Sequence, residues 1–330
     1  MIDANPTRLR LVFCGTPQFA SPSLEALIAA GHEIALVVTQ PDRPVGRKQV
    51  LTAPPVKQTA LAHGLPVTQP EKIKNNLEFR ERLEAIAPDA IVVVAYGRII
   101  PRWMLDLPRL GCINLHGSLL PKYRGAAPIQ WAIANGDEVL GNTTMLLEEG
   151  LDTGPMLLHQ KLNFKADRSH TSVEALKELA HLGAPLVVET LEGLASGSLR
   201  PQPQEDSQAT LAPILTREDG RVDFSKQDTL TIWNRWRGFQ PWPGVYTTFE
   251  GKKLILSEVQ PAAYTPPPGE SYAPGQLLIL GKEVYVACAG GTYLELLQVQ
   301  LEGKNRITSD EFVRGHRLSS GFQLGEEQGQ

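Results

Sequence analysis

Long apolar runs are missing from this chain: none approaches the roughly 20 residues that cross a bilayer, which argues against a helical membrane protein. Arg8 and Arg10 precede only Leu11–Cys14, which is too short for the core of a secretion signal and is followed by no small-residue cleavage site. Cysteine is scarce. Cys14, Cys112 and Cys288 are widely spaced, form no metal-ligand pair, and are odd in number, which argues against a disulfide framework. Reduced, buried thiols in a cytoplasmic protein without a metal site are therefore expected. The formal net charge is only −4 and divides evenly about Pro213, so neither half has the strongly basic balance of a general nucleic-acid binder. Any RNA binding must come from local basic patches, with a modest salt dependence. The dinucleotide fingerprint is also absent. Gly15-Thr16-Pro17-Gln18-Phe19 follows the first strand, but the second and third glycines are missing and Pro17 removes a backbone donor, which disfavours a dehydrogenase. The position suits a ligand-facing turn or simply a tight strand-to-helix turn.

What is present suits a globular protein. With 330 residues and 42% hydrophobic content there is material for two domains, each with a core. The first two hundred residues alternate β-rich runs with helical patterns. Strands are read at Leu9–Cys14, Glu33–Thr39, Ala90–Ala95 and Gly111–His116, and helices at Ser21–Ala30, Ala53–His63, Asn75–Ala87 and Pro128–Asn135. A long helix is read from Ser169 to Ser196, with a break near Pro185. This alternation implies a parallel sheet with helices on both faces and ligands beyond the carboxyl ends of the strands. Leu199–Pro213 is polar and reads as a linker. Beyond it, a helix at Thr229–Phe239 and five short strands between Val245 and Gln300 suggest a small barrel, interrupted by the Pro-rich stretch Pro261–Pro274.

The segment richest in chemistry is Gly111–Ala132. Asn114 and His116 alternate with Ile113 and Leu115 at the end of a strand, so both point to one face. An amide beside an imidazole there can serve proton transfer and oxyanion binding, or be a capping Asn next to a hydrogen-bonded His. Downstream, Asp152 lies between Gly150 and Gly154, either as a held catalytic carboxylate or as a solvated acidic turn.

Asn114-x-His116, the run Ser118-Leu119-Leu120-Pro121-Lys122-Tyr123-Arg124-Gly125-Ala126-Ala127-Pro128, and the Asp152-Thr153-Gly154 turn resemble the folate-dependent formyltransferases. Within them they resemble the methionyl-tRNA branch. The resemblance runs almost the whole chain, through Gln40-Pro41-Asp42-Arg43-Pro44, Ala95-Tyr96-Gly97-Arg98, Glu218-Asp219-Gly220-Arg221 and Pro241-Trp242-Pro243-Gly244. It implies an α/β fold, with a Rossmann-like, mostly parallel sheet over residues 1–198, a linker at 199–213, and a small OB-like β-barrel domain at 214–330 that binds tRNA. It implies transfer of the formyl group of 10-formyltetrahydrofolate to the amine of methionyl initiator tRNA, for which a monomer suffices. Formylation of an amino sugar nucleotide or another small amine is the alternative, and a binding module without catalysis is a third reading. Asn114, His116 and Asp152 would form the catalytic unit, with the choice between His116 and Asp152 as acid left open. Reduced folate would lie against Ala95, Tyr96, Gly97, Ser118, Leu119, Leu120 and Pro121. Arg43, Arg47 and Lys48 would meet the acceptor stem. Arg235, Arg237, Lys252, Lys253, Lys304, Arg306, Arg314 and Arg317 would supply the basic surface of the barrel, while Trp233, Trp236 and Trp242 read as core or packing residues rather than base-stacking platforms.

Overall fold

The computed structural model describes residues 8–46, 49–165, 167, 170–262, 264, 267 and 270–325. Two compact units interleave in sequence. Met1–Pro128, Val139–Asn163 and Leu176–Pro213 form the first, and Ile129–Glu138, Phe164–Ala175 and Ile214–Gln330 the second.

The first unit opens with β1 (Arg10–Gly15), α1 (Ser21–Ala29), β2 (Glu33–Val38), β3 (Arg43–Val45), β4 (Val50–Thr52), α2 (Pro55–Ala62) and β5 (Val67–Thr68). It continues with α3 (Leu77–Ile86), β6 (Ala90–Val94), α4 (Arg102–Leu105) and β7 (Cys112–His116). Three further elements are α5 (Pro128–Ala134) and the strands β8 (Val139–Leu146) and β9 (Met156–Asn163), followed by α6 (Ser172–Ser196). Most of α5 and the first residues of α6 belong to the second unit.

The sheet order is β5-β2-β1-β6-β7-β8-β9, parallel as far as β7 and antiparallel at β8 and β9. Side-chain alternation sorts the strands onto two cores. Leu11, Phe13, Val92, Val94, Ile113 and Leu115 pack with Leu24 and Leu27 of α1, Val56 of α2 and Val187 of α6. Val12, Cys14, Ile91, Val93 and Cys112 pack with Phe79 and Leu83 of α3 and Met104 of α4. Both faces of β6 are thus covered, which is why its run is apolar throughout. All three cysteines are free and buried, and burial pushes the Cys112 thiol up to about 12 and the Cys288 thiol to about 11. They are inert packing groups.

The second unit contains α7 (Thr229–Gly238), β10 (Tyr246–Phe249), β11 (Lys252–Pro261), β12 (Leu277–Leu280) and β13 (Glu283–Ala287). It ends with β14 (Tyr293–Leu301), β15 (Ile307–Thr308) and α8 (Ser309–Gly315). The sheet is a curled antiparallel half-barrel, in the order β10-β11-β14-β13-β12 with β15 on β14. Asp228 caps α7 by accepting the Thr231 N–H, and Thr308 with Glu311 forms a capping box on α8. Ile232, Trp233 and Trp236 of α7 join Phe249, Leu256, Leu294 and Phe312 in one core.

Several expectations need correction. Helix α6 runs unbroken across Pro185. A proline inside a helix costs about 3 kcal/mol, whereas buried Leu179, Leu186, Val187 and Leu191 each contribute roughly 1.5–3 kcal/mol of burial. Its start at Ser172 is later than expected, and Ser169 lies outside the described residues. The segment that carries Arg43, for which no strand was expected, contains the antiparallel pair β3 and β4. Arg237 is not a surface cation. It is 1% exposed, stacks over Trp233 at 4.5 Å, and donates to the His170 carbonyl and Asn234 Oδ1. Of the three tryptophans expected as core or packing residues, Trp233 and Trp236 are buried and Trp242 is 55% exposed. The Pro261–Pro274 stretch also gains a structural role. Its Tyr264 stacks on Tyr285 and meets Tyr293 edge-on, so that this one side chain lies on the face of β13 and β14 opposite the core. Among the described residues no helix is long and apolar enough to cross a membrane.

Candidate active site

Strand β7 carries Asn114 and His116 at its carboxyl end, on the face opposite Ile113 and Leu115. Both are buried, at 9% and 5% exposure. Asn114 sits in register between Val93 of β6 and Met145 of β8. Its side-chain amide has no hydrogen-bond partner among the described residues. Neither of its polar atoms is among the fully buried groups left without a partner, so the amide opens onto accessible space and can meet a ligand or water.

His116 Nε2 lies 2.9 Å from the Tyr123 carbonyl oxygen. A carbonyl can only accept, so Nε2 carries the proton and Nδ1 is the nitrogen left open. Nδ1 faces the Asp152 carboxylate at 3.7 Å. That separation exceeds a hydrogen bond and leaves the ring free to engage another group. Asp152 lies on the turn joining β8 to β9, with φ +51°, and its Oδ2 accepts the Gly125 N–H at 2.9 Å. The neck of that turn is closed by Leu146 N–H donating to Pro155 O at 3.0 Å. Gly154 is required there, because a Cβ would run into the Leu146 carbonyl.

The Ser118–Pro121 loop is held from β8. Thr143 Oγ1 donates to the Ser118 carbonyl at 2.7 Å and accepts the Leu120 N–H at 3.1 Å. Ser118 Oγ donates to the Lys122 carbonyl at 2.6 Å. Ser118 and Leu120 are buried, while Leu119 and Pro121 are partly open.

A cleft of about 480 Å³ opens at the ends of β1, β2 and β6. Ala95, Tyr96, Gly97, Thr16, Gln40, Arg43, Pro54 and Pro55 are among its walls. Gln40 Nε2 and Thr16 Oγ1 both donate to the Tyr96 carbonyl, at 3.2 and 3.1 Å, tying the three strand ends together. Ala95 and Gly97 have φ of +46° and +79°, which turns this loop sharply and exposes its backbone. Tyr96 Oη is buried without a partner, and burial drives its phenol far above the ordinary range. None of Asn114, His116, Asp152 or Ser118–Pro121 borders this cleft. The two features are nonetheless adjacent, since β6 and β7 are neighbouring strands about 4.8 Å apart.

Arg43 is exposed at the cleft and forms no ion pair among the described residues. Arg47 and Lys48 lie outside the described residues. Sequence reasoning missed Gly125, Thr143 and Tyr123 as holders of the site. Their partners are set by loop geometry, which leaves no periodic signal.

A mostly parallel sheet with polar catalytic-type groups on a strand end, joined to an antiparallel half-barrel, matches a known class. Residues 9–190 match the family described as Formyl transferase, and residues 214–317 match its C-terminal domain. A solved N-formyltransferase from Helicobacter canadensis, in complex with folinic acid and dTDP-3-aminofucose, shares the fold. Its TM-score is 0.62 at 15% identity, over 87% of this chain and 98% of that one. Among curated relatives, the methionyl-tRNA formyltransferase of Acidobacterium capsulatum is 59% identical, over 96% of this chain and all of its own length. That of Koribacter versatilis is 55% identical, over 96% of this chain and 98% of its own. The chain belongs to the methionyl-tRNA formyltransferase family.

Proposed function

We propose that this protein transfers the formyl group of 10-formyltetrahydrofolate to the α-amine of methionyl initiator tRNA, in the cytoplasm, yielding formylmethionyl-tRNA for translation initiation. The observation that carries the reading is the convergence of Asn114, His116 and Asp152 at the end of β7. The acceptor amine has an ordinary pKa near 7.7–8.0, so a useful fraction is neutral and nucleophilic. Its attack on the formyl carbon forms a C–N bond and puts negative charge on the formyl oxygen. The unpartnered Asn114 amide is a donor for that oxyanion, and such a donor is typically worth about 10²–10³ in rate. Collapse breaks the bond to folate N10, which must gain a proton while the acceptor nitrogen loses one. His116 Nδ1, left open because Nε2 is engaged by Tyr123, and Asp152 at 3.7 Å are the two groups placed for that exchange. All three groups come from one chain, so a monomer suffices.

The folate would lie along Ala95–Gly97 and the Ser118–Pro121 loop, which offer backbone donors and acceptors beside apolar walls. Arg43, Arg47 and Lys48 would meet the acceptor stem, with exposed cations of the half-barrel unit on the tRNA backbone. The test is transfer from 10-formyltetrahydrofolate to charged initiator tRNA, with free methionine and an amino sugar nucleotide as competing acceptors. Transfer to the charged tRNA supports the reading. Transfer only to a small amine would keep the catalytic unit and reject the acceptor.

A further inference from the structure

Residues 199–213 read as a polar linker, yet within the first unit they are fastened to both loops of the catalytic cluster. Gln202 and Met156 exchange backbone hydrogen bonds, both 2.8 Å. Gln204 Nε2 donates to the carbonyls of Asp152 and Gly154, each at 2.7 Å. Its Oε1 accepts from Arg124 Nε at 3.0 Å. Arg124 is 7% exposed and adjoins Gly125, whose N–H binds the Asp152 carboxylate. Thr210 Oγ1 accepts the Tyr123 N–H at 2.9 Å, and the Tyr123 carbonyl is the partner of His116 Nε2.

We propose that Gln204 is a positioning residue for formyl transfer, its amide fixing the Asp152 turn against the Arg124–Gly125 loop so that Asp152 and His116 keep their separation. This rests on the reading of Asp152 and His116 as catalytic. The Asp152 turn reaches outward from the sheet with Leu151 exposed, and its neck holds only the strand ends together. Gln204 grips two carbonyls inside the turn and, from its other end, the side chain next to the amide that holds the carboxylate. Only a side chain with a donor and an acceptor on one rigid head can do both. A glutamate lacks the donor, and an asparagine is one methylene short.

The experiment uses the full chain, 10-formyltetrahydrofolate and methionyl initiator tRNA. Gln204→Met keeps the length and removes both hydrogen-bonding ends. Its kcat should fall about ten- to a hundredfold, the scale of a displacement near 1 Å, with both KM values within about threefold of wild type. The double variant Asp152→Asn/Gln204→Met should be no slower than Asp152→Asn alone, because Gln204 acts through that carboxylate. Unchanged kcat in Gln204→Met, or a loss that multiplies onto that of Asp152→Asn, overturns the proposal. Normal turnover by Asp152→Asn itself would instead overturn the catalytic reading, and the proposal with it. Should Gln204→Met not fold, Gln204→Asn carries the same comparison.

Discussion

Gly125 is where backbone geometry and catalysis meet most tightly. Its φ is +127°, a region open to glycine and costly for other residues, by about 1–3 kcal/mol. A Cβ at this position would lie 2.5 Å from the Ala212 carbonyl oxygen, whereas ordinary contact begins at 3.4 Å, so something must move by roughly 0.9 Å. Ala212 cannot yield freely, because its N–H donates to Arg124 O at 2.7 Å and its carbonyl accepts the Ala127 N–H at 3.2 Å. The Gly125 N–H, 2.9 Å from Asp152 Oδ2, should move instead. A displacement near 1 Å at a reacting group costs about 10²-fold in rate. Gly125→Ala should therefore lower kcat by about two orders of magnitude in formyl transfer to charged initiator tRNA. KM should change little, and the thermal midpoint should drop by the strain. A variant that folds and retains kcat within threefold of wild type would refute the argument that this amide holds Asp152 in place.

Further expectations follow from other contacts. Thr143→Val leaves the buried Ser118 carbonyl and Leu120 N–H without their partner, so denaturant titration should show a loss of about 1–3 kcal/mol. Hydrogen bonds from Lys57 and Gln69 hold the Asp42 carboxyl below the usual carboxylate range. Because its folded pKa is the lower one, its contribution is present above about pH 4 and is lost as pH falls through the folded value. The thermal midpoint of Asp42→Asn should thus lie below wild type at neutral pH and converge with it in acid; a gap constant with pH would contradict this. Arg237→Met removes the donors to His170 O and Asn234 and should cost about 2–4 kcal/mol in unfolding experiments, despite losing only a nominal surface cation.

Strand β6 was legible because AIVVV is apolar on both faces, and Asn114 with His116 because strand alternation places them together. Strands β8 and β9 escaped notice for physical reasons. In β8 the polar Asn142 and Thr144 are buried against α6, where the Asn142 amide N–H donates to the Leu179 carbonyl and Thr144 meets Thr190, so hydropathy does not mark them as core. In β9, His159, Gln160 and Lys161 interrupt the apolar pattern of an edge strand. Arg237 counted as surface by its charge, although Trp233 four residues earlier on the same helix face is the contact that buries it. Gln204 carries no sequence signal, since a polar residue in a polar linker does not reveal which carbonyls it meets.

The rate of a single turnover from 10-formyltetrahydrofolate to methionyl initiator tRNA, in wild type and in Asp152→Asn, tests the catalytic unit most directly. Asp152→Asn keeps the size of the side chain and an oxygen for the Gly125 N–H, but removes the charge facing His116 Nδ1. A loss of about 10²–10⁴-fold with tRNA binding intact is the expected result. Turnover within a few-fold of wild type would contradict it, and would leave Asp152 as a structural anchor for Gly125.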